Sequence, residues 1–586
     1  MFATARLSAA SRGLRRRGPG PLSALPALLP ALLIAAPILW VGASLFATSP
    51  NLGHLADTVL ARYGANTLLL ALGTTLGVTA LGVPAAWLVT MCRFPGRRVF
   101  EWALVLPLAI PAYVLAYVYT DFLQHSGPVQ SALREVFDLG PRDYWFPEIR
   151  SLPGAILIFS FVLYPYVYLL ARSAFLAQSA CAIEVSRTLG SSPVDSFWRV
   201  SLPLARPAIA AGVALALMET LADFGTVAHF GVQTFTTGID RAWRSLGDRA
   251  LAGQLSAMLL LLALTVLVLE RRSRGAARVH HTTNRYQSLP GYRLRGARAG
   301  LATLACLIPV FVGFLLPAGL LLYLSLAFGH DLFGARSLTL MRNSVTLAGL
   351  TAVLAVSLAL AMAYAARLTA SPLARAANRV ASMGYAVPGS IIAVGVLVPL
   401  ASLDNAVDGV MRSTFGVSTG LLLTGSIIAL TYAYLVRFMA VALGSVEAGL
   451  EKVTPSMDGA ARSLGANFLG TLTRVHVPML SGTLLTAGLI VFVDVVKELP
   501  ATLIMRPFNF DTLAVQAYRL ASDERLTEAS TASLVIVLVG LGPVILLSRS
   551  IMSSRPGSGR RVGPETPPLL AAAPDPTGPV ERPAGP

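Results

Sequence analysis

Four acidic residues sit inside stretches that are otherwise apolar. Glu219 and Asp223 lie in one, Asp494 and Glu498 in another. The members of each pair are four residues apart, so on a continuous helix they share one face. Like charges at that spacing repel. An ionised acid at the centre of a membrane helix costs about 2.5–3.5 kcal/mol on insertion scales. Two such pairs are hard to explain as packing alone. Carboxylate oxygens suit hard cations. The pairs therefore read as a carboxylate-lined path between two like halves. The competing reading is a structural network, in which Lys497 neutralises a neighbouring acid and the others are protonated or bonded to Ser and Thr.

Other residue types add little chemistry. Cys92, Cys181 and Cys306 show no paired spacing for a metal or a disulfide, and no metal site is assigned. His229 falls near the outer end of the fifth apolar stretch and is expected in a loop. Tyr164, Tyr166, Tyr432 and Tyr434 fall within helices and are expected to pack. A P-loop needs Lys directly after Gly to neutralise phosphate. The only lysines, Lys452 and Lys497, follow Glu451 and Val496.

The elements that hold these residues are membrane helices. Only 13% of the 586 residues are charged, against about 25% in soluble proteins. Repeated apolar runs longer than about 18 residues can each cross the hydrocarbon as a helix. In lipid every backbone polar group needs an internal partner, which makes such runs helical. Twelve are expected, at roughly 26–48, 66–91, 101–121, 152–176, 208–228, 249–270, 302–328, 343–367, 380–402, 418–443, 481–505 and 529–549. The first is read as an uncleaved helix, not a secretory signal, because it is too long for a signal core.

The formal charge of +17 raises a nucleic-acid reading, but the positions of the charges decide against it. Basic clusters fall at Arg12–Arg17, Arg93–Arg98, Arg271–Arg298, Arg367–Arg379 and Arg555–Arg561. All lie on one side of the membrane if both termini are cytoplasmic, as the positive-inside rule requires. The localisation expected is a bacterial plasma membrane, crossed many times.

The chain also repeats itself. Residues 184–203 (EVSRTLGSSPVDSFWRVSLP) and 459–478 (GAARSLGANFLGTLTRVHVP) match at an offset of 275 residues. Arg187 pairs with Arg462, Gly190 with Gly465 and Pro203 with Pro478. The offset continues through Glu219 with Asp494 and Asp223 with Glu498, then Phe235 with Phe510 and Thr237 with Thr512. Nearer each start, an offset of 277 pairs Asn66 with Asn343, Pro95 with Pro372 and Pro111 with Pro388. Each copy holds six helices, an even number, so both copies sit the same way up. Parallel repeats of this kind are related by an axis along the membrane normal.

Each repeated segment reads as a short helix, a glycine turn and a second short helix. Pro203 and Pro207 then suggest an extended step into the next span. Such a projection is a docking element. Its spacing resembles the cytoplasmic EAA loop of ATP-binding-cassette importer permeases. The first copy fits from Glu184 through Gly190 to Val200, Leu202 and Pro203, with Val185 and Ser186 in place of two alanines. The second has Ala460, Ala461, Gly465, Val475, Val477 and Pro478. Its acid is replaced by Gly459, and Asp458 sits one position early. The stretches 221–243 and 496–530 are similar to the fused two-half ferric iron permeases of this class, and the resemblance covers roughly 60–550.

The resemblance implies an all-α integral membrane protein of the type I importer permease fold, about twelve spans in two tandem parallel six-helix repeats. It implies that Glu184, Arg187, Gly190, Pro203, Asp458, Arg462, Gly465 and Pro478 belong to loops that receive the motion of a cytoplasmic ATPase, present in two copies. A periplasmic or lipid-anchored binding protein would deliver substrate. The chain itself would hold no cofactor, ATP and Mg being bound by the partner subunit, and it would bind no nucleic acid. Related permeases carry thiamine, phosphonates or other small solutes. A twelve-helix secondary transporter is the rival, supported only by the basic Arg93–Arg98 loop. A membrane enzyme or a receptor-like scaffold fits less well. The domains expected are an N-terminal segment with the first helix (1–60), a first permease domain (61–270), a basic linker with the seventh helix (271–342), a second permease domain (343–549) and a tail (550–586).

Overall fold

A computed structural model describes residues 25–177, 192–274, 292–328, 334–369, 371–451 and 453–553. Among them, eleven helices are long and apolar enough to cross a membrane. Spans 1 and 2 are Leu25–Ser44 and Leu52–Met91. Span 3 is a broken pair, Arg97–Ala109 and Ala112–Phe137, bent by 90°. Spans 4, 5 and 6 are Leu152–Leu176, Phe197–Ala222 and Arg249–Glu270. Spans 7, 8 and 9 are Ala297–Phe328, Ala335–Thr369 and Gly389–Phe415. Spans 10, 11 and 12 are Ile427–Leu450, Phe468–Val496 and Leu526–Ile545. The count agrees with the twelve apolar runs once the bent pair is taken as one span.

The two halves repeat in their interruptions as well as in their helices. Span 3 breaks at a 3-10 turn, Leu106–Ala109, and restarts after Pro111. The approach to span 9 breaks at Gly384–Ala386 and restarts after Pro388. Proline suits a helix start because its missing N–H is not needed there. Asn66 donates to the Gln233 carbonyl (2.9 Å), and Asn343 donates to the Asp511 carbonyl (3.1 Å). The matched asparagines therefore do the same work in each half.

One matched register is corrected. Thr234 caps the helix Phe235–Asp240, and Thr512 caps Leu513–Ser522. The equivalent residues are thus Thr234 and Thr512, and the pairings of Phe235 with Phe510 and of Thr237 with Thr512 both slip by three. The second copy carries a longer connection there, pinned by an ion pair between Arg506 and Asp511.

The halves are interlocked. Span 1 lies against the second half: Tyr432 donates to the Leu33 carbonyl (2.5 Å), and a Cβ on Gly395 would stand 2.7 Å from the Pro37 carbonyl oxygen. Span 7 lies against the first half: Tyr119 donates to the Val312 carbonyl (2.7 Å), and a Cβ on Gly313 would stand 2.7 Å from the Phe161 carbonyl oxygen. Each half therefore lends its first span to the other.

Candidate functional site

Span 5 ends at Ala222 and span 11 at Val496, both within the bundle. Asp223 has extended backbone (φ −71°, ψ 135°). A short helix follows each end, Gly225–His229 in one half and Pro500–Met505 in the other. This corrects the expectation that Glu219 and Asp223 share a face of one continuous helix, and likewise Asp494 and Glu498. The second acid of each pair lies beyond the helix end.

The break explains why acids stand there. A helix that starts inside a membrane exposes N–H groups with no partner of their own. Asp223 accepts from the Thr226 amide (2.8 Å). Glu498 accepts from the amides of Ala501 (3.0 Å) and Thr502 (3.1 Å) and meets the Thr502 hydroxyl at 2.8 Å. Both acids anchor the start of the next short helix, in matched positions.

All four acids line one central cavity of about 90 Å³, together with Tyr113, Tyr166, Arg437 and Lys497. Lys497 pairs with Asp494 at 2.8 Å, one turn away on the same element. Arg437 of span 10 is buried, with Nη1 3.0 Å from Glu498 and Nη2 3.9 Å from Glu219. Tyr385 donates to Glu219 at 2.8 Å. Thus the residues read as a path also form a structural network, with four carboxyl groups and two basic side chains around one cavity. Arg437 and Tyr385 do not stand out in a reading for acids. An arginine in the middle of a long apolar run was the available signal for Arg437. Nothing in the local sequence distinguishes Tyr385.

Close packing holds the cluster. A Cβ on Gly389, the first residue of span 9, would lie 2.4 Å from Arg437 Nη1 and 2.6 Å from Glu498 Oε1. One on Gly225 would lie 2.6 Å from Tyr113 Cβ. A second, wider cavity of about 780 Å³ adjoins the cluster. It is lined by Met218, Glu270, Arg375, Arg379, Tyr385 and Glu447, on the side that carries the repeated segments. Tyr385 borders this vestibule and bonds to Glu219 of the inner cavity. His229 is not in a loop: it closes the short helix, with Nε2 3.1 Å from the Thr120 hydroxyl and its ring edge-on to Tyr117.

Of the repeated segments, Glu184, Arg187 and Gly190 lie outside the described residues. The second copy is a helix, Pro455–Ser463, a left-handed turn at Gly465 (φ 81°) and a further helix from Phe468 capped by Asn467. Arg462 lies on the first of these helices and Pro478 within span 11, just after the π turn Leu472–His476. No extended step precedes the next span, as the prolines had suggested. Phe197–Ala222 and Phe468–Val496 run as continuous helices. Pro203 and Pro478 stand inside these helices, each directly after a wide π turn, at Phe197–Ser201 and Leu472–His476, where the backbone ladder shifts register.

Asp458 is buried and held from two directions. Arg367 of span 8 pairs with it at 3.0 Å, and His476 Nε2 stands 2.7 Å away. It anchors the segment to the bundle and faces inward. The outward surface near the turn is apolar: Leu464, Phe468 and Leu469 are all exposed.

Residues 79–271 match the family of binding-protein-dependent transport system inner membrane components. The chain is 28% identical to an Fe(3+)-transport system permease protein of Haemophilus influenzae, over 83% of this chain and 89% of that one. It is 30% identical to a sulfate transport system permease protein of Escherichia coli, over 34% of this chain and 67% of that one. It is also 30% identical to a molybdenum transport system permease protein of Azotobacter vinelandii, over 28% of this chain and 70% of that one.

Proposed function

The chain belongs to the binding-protein-dependent transport system inner membrane components, as the multi-pass permease subunit of an ATP-driven importer, and we propose that its cargo is ferric iron. The observation that carries the cargo is the alignment with an Fe(3+)-transport permease over 83% of the chain. The four carboxyl groups lining the central cavity support it, since hard cations prefer oxygen ligands. The sulfate and molybdenum permeases among the relatives, with Arg437 and Lys497 in the cavity, favour an oxyanion as the second reading.

An importer of this family works with an ATPase and a substrate-binding protein. Two copies of the ATPase dock from the cytoplasm on the segments 184–203 and 459–478, and that ATPase performs all the hydrolysis. The exposed side chains of Leu464, Phe468 and Leu469 are the apolar surface it covers. Both termini are cytoplasmic, which puts the 780 Å³ vestibule on the cytoplasmic side. The binding protein delivers cargo from the other face. Residues 61–270 and 343–549 act as the two permease domains. Motion of the docked segments passes through spans 5 and 11 to the acids at their ends, and cargo crosses by alternating access.

The test is uptake of radioactive ferric iron by cells carrying the intact system, with sulfate and molybdate measured beside it. ATP-dependent iron uptake is expected. It should be lost in Gly465→Val, because a β-branched residue is strained at positive φ, while the protein stays in the membrane. Oxyanion uptake without iron uptake overturns the cargo. Iron uptake that survives the substitution overturns the role of the segment.

A further inference from the structure

Arg437 stands between a carboxylate of each half in the central cavity. It is 8% exposed, and its guanidinium reaches Glu498 of the second half (3.0 Å) and Glu219 of the first (3.9 Å). Its Nε has no hydrogen-bond partner, so the group is set by these two carboxylates and not by a full donor network. Lys497 differs, because its ammonium is held in an ion pair by Asp494, three residues away on its own element. Among the described residues, no three His, Cys, Asp or Glu side chains are close enough to hold a metal ion. The acids therefore form no ready cation site while the guanidinium lies between them. The asymmetry is also written in the chain. The fourth span of the first half carries one basic residue, Arg172, which is paired with Glu101 (3.5 Å) well away from the cavity.

We propose that Arg437 is a tethered cation that occupies the cargo's place between Glu219 and Glu498 and is displaced by it. This rests on the reading of the protein as a cation importer. In the unloaded state the guanidinium satisfies one carboxylate from each half and keeps them together. Incoming cargo takes over those oxygens, and the released arginine then repels it toward the vestibule. Tight binding is thereby avoided, which a path needs if cargo is to leave as well as enter. Tyr385 holds Glu219 from the vestibule side (2.8 Å), so the same carboxylate reports to both compartments. Arg437 acts as a residue that sets affinity and specificity, not as a fixed ligand.

The test uses the purified permease–ATPase complex in zwitterionic lipid nanodiscs, with terbium(III) as the probe. Tb³⁺ is a hard trivalent cation, and the tyrosines at the cavity (Tyr113, Tyr166, Tyr385) can sensitise its emission. Removing the competing charge with Arg437→Gln is expected to tighten Tb³⁺ binding by about tenfold or more, given charges 3–4 Å apart in a medium of low permittivity. Arg437→Lys keeps the charge but lacks the forked reach, so its affinity should fall between the two. Glu219→Gln/Glu498→Gln should abolish the sensitised signal. An arginine with a purely structural role would lower the yield of complex without tightening the site. If Arg437→Gln does not assemble, Arg437→Lys carries the test. If neither variant binds Tb³⁺ more tightly than the parent, the proposal is overturned. Radioactive iron uptake separates the two ideas. Tightening without any iron uptake by the parent supports the tether and removes the iron cargo. Iron uptake without tightening keeps the cargo and removes the tether.

Discussion

Glu498 should be the least replaceable acid of the cluster, and the reason is countable. Its Oε1 accepts from Arg437 Nη1 (3.0 Å) and the Ala501 amide (3.0 Å). Its Oε2 meets the Thr502 amide (3.1 Å) and the Thr502 hydroxyl (2.8 Å). Glu498→Gln keeps the shape but offers one oxygen and one amide group. With the amide at Oε1 it faces two donors, Arg437 Nη1 and the Ala501 amide; at Oε2 it faces the Thr502 amide, while the Thr502 hydroxyl can turn to the Glu498 carbonyl (2.9 Å), so at least one buried donor loses its acceptor. A buried donor left without an acceptor costs about 1–3 kcal/mol, and the loss of the charge opposite Arg437 adds to it. Glu219→Gln is milder. Its one short bond is from Tyr385 (2.8 Å), whose hydroxyl can turn to accept instead, and Arg437 stands off at 3.9 Å. That loss should stay near about 1 kcal/mol. The assay is heating of the tagged protein in detergent, followed by fluorescence-detected size exclusion. Glu498→Gln should lose its monodisperse peak at a clearly lower temperature than Glu219→Gln. If Glu498→Gln matches the parent, or Glu219→Gln loses as much, the assignment of Glu498 as the anchor of the broken helix is wrong.

Two further outcomes are expected. Asn66→Ala and Asn343→Ala each remove one bond to a loop carbonyl, so the same heating assay should show similar losses of about 1 kcal/mol apiece; a large difference would break the equivalence of the halves. Asp458→Ala leaves Arg367 and the buried His476 without their carboxylate, and breaking such a pair from one side costs about 3–5 kcal/mol. Hydrogen exchange over Pro455–Ser463 should then speed up, and unchanged protection there would show that the anchor does not hold the segment.

The two coupling segments illustrate how far local pattern reaches. Glycine at 465 was legible as a turn because few other residues adopt a left-handed backbone cheaply, and the turn is there with φ 81°. Asp458 was legible only as an acid near the motif. Its burial depends on Arg367, 91 residues earlier, and no local rule brings those two together. The prolines misled for a related reason. Pro203 reads as a break, yet the helix continues across it, and the π turn Phe197–Ser201 just before it shifts the backbone ladder where the proline lacks a donor.

The sequence by itself determined the spans, the repeat and the presence of charge within the bundle. Lipid offers the backbone no partner, so a long apolar run has one solution, and an offset match needs no coordinates. Tertiary structure alone decided what the charges do. Spans 5 and 11 stop short, and the acid just beyond each end serves the amides of the next short helix. Arg437 meets Glu219 and Tyr385 meets Glu219 only because the halves interlock, each lending its first span to the other. Ion pairs fall off with distance in space, and sequence separation carries no such distance.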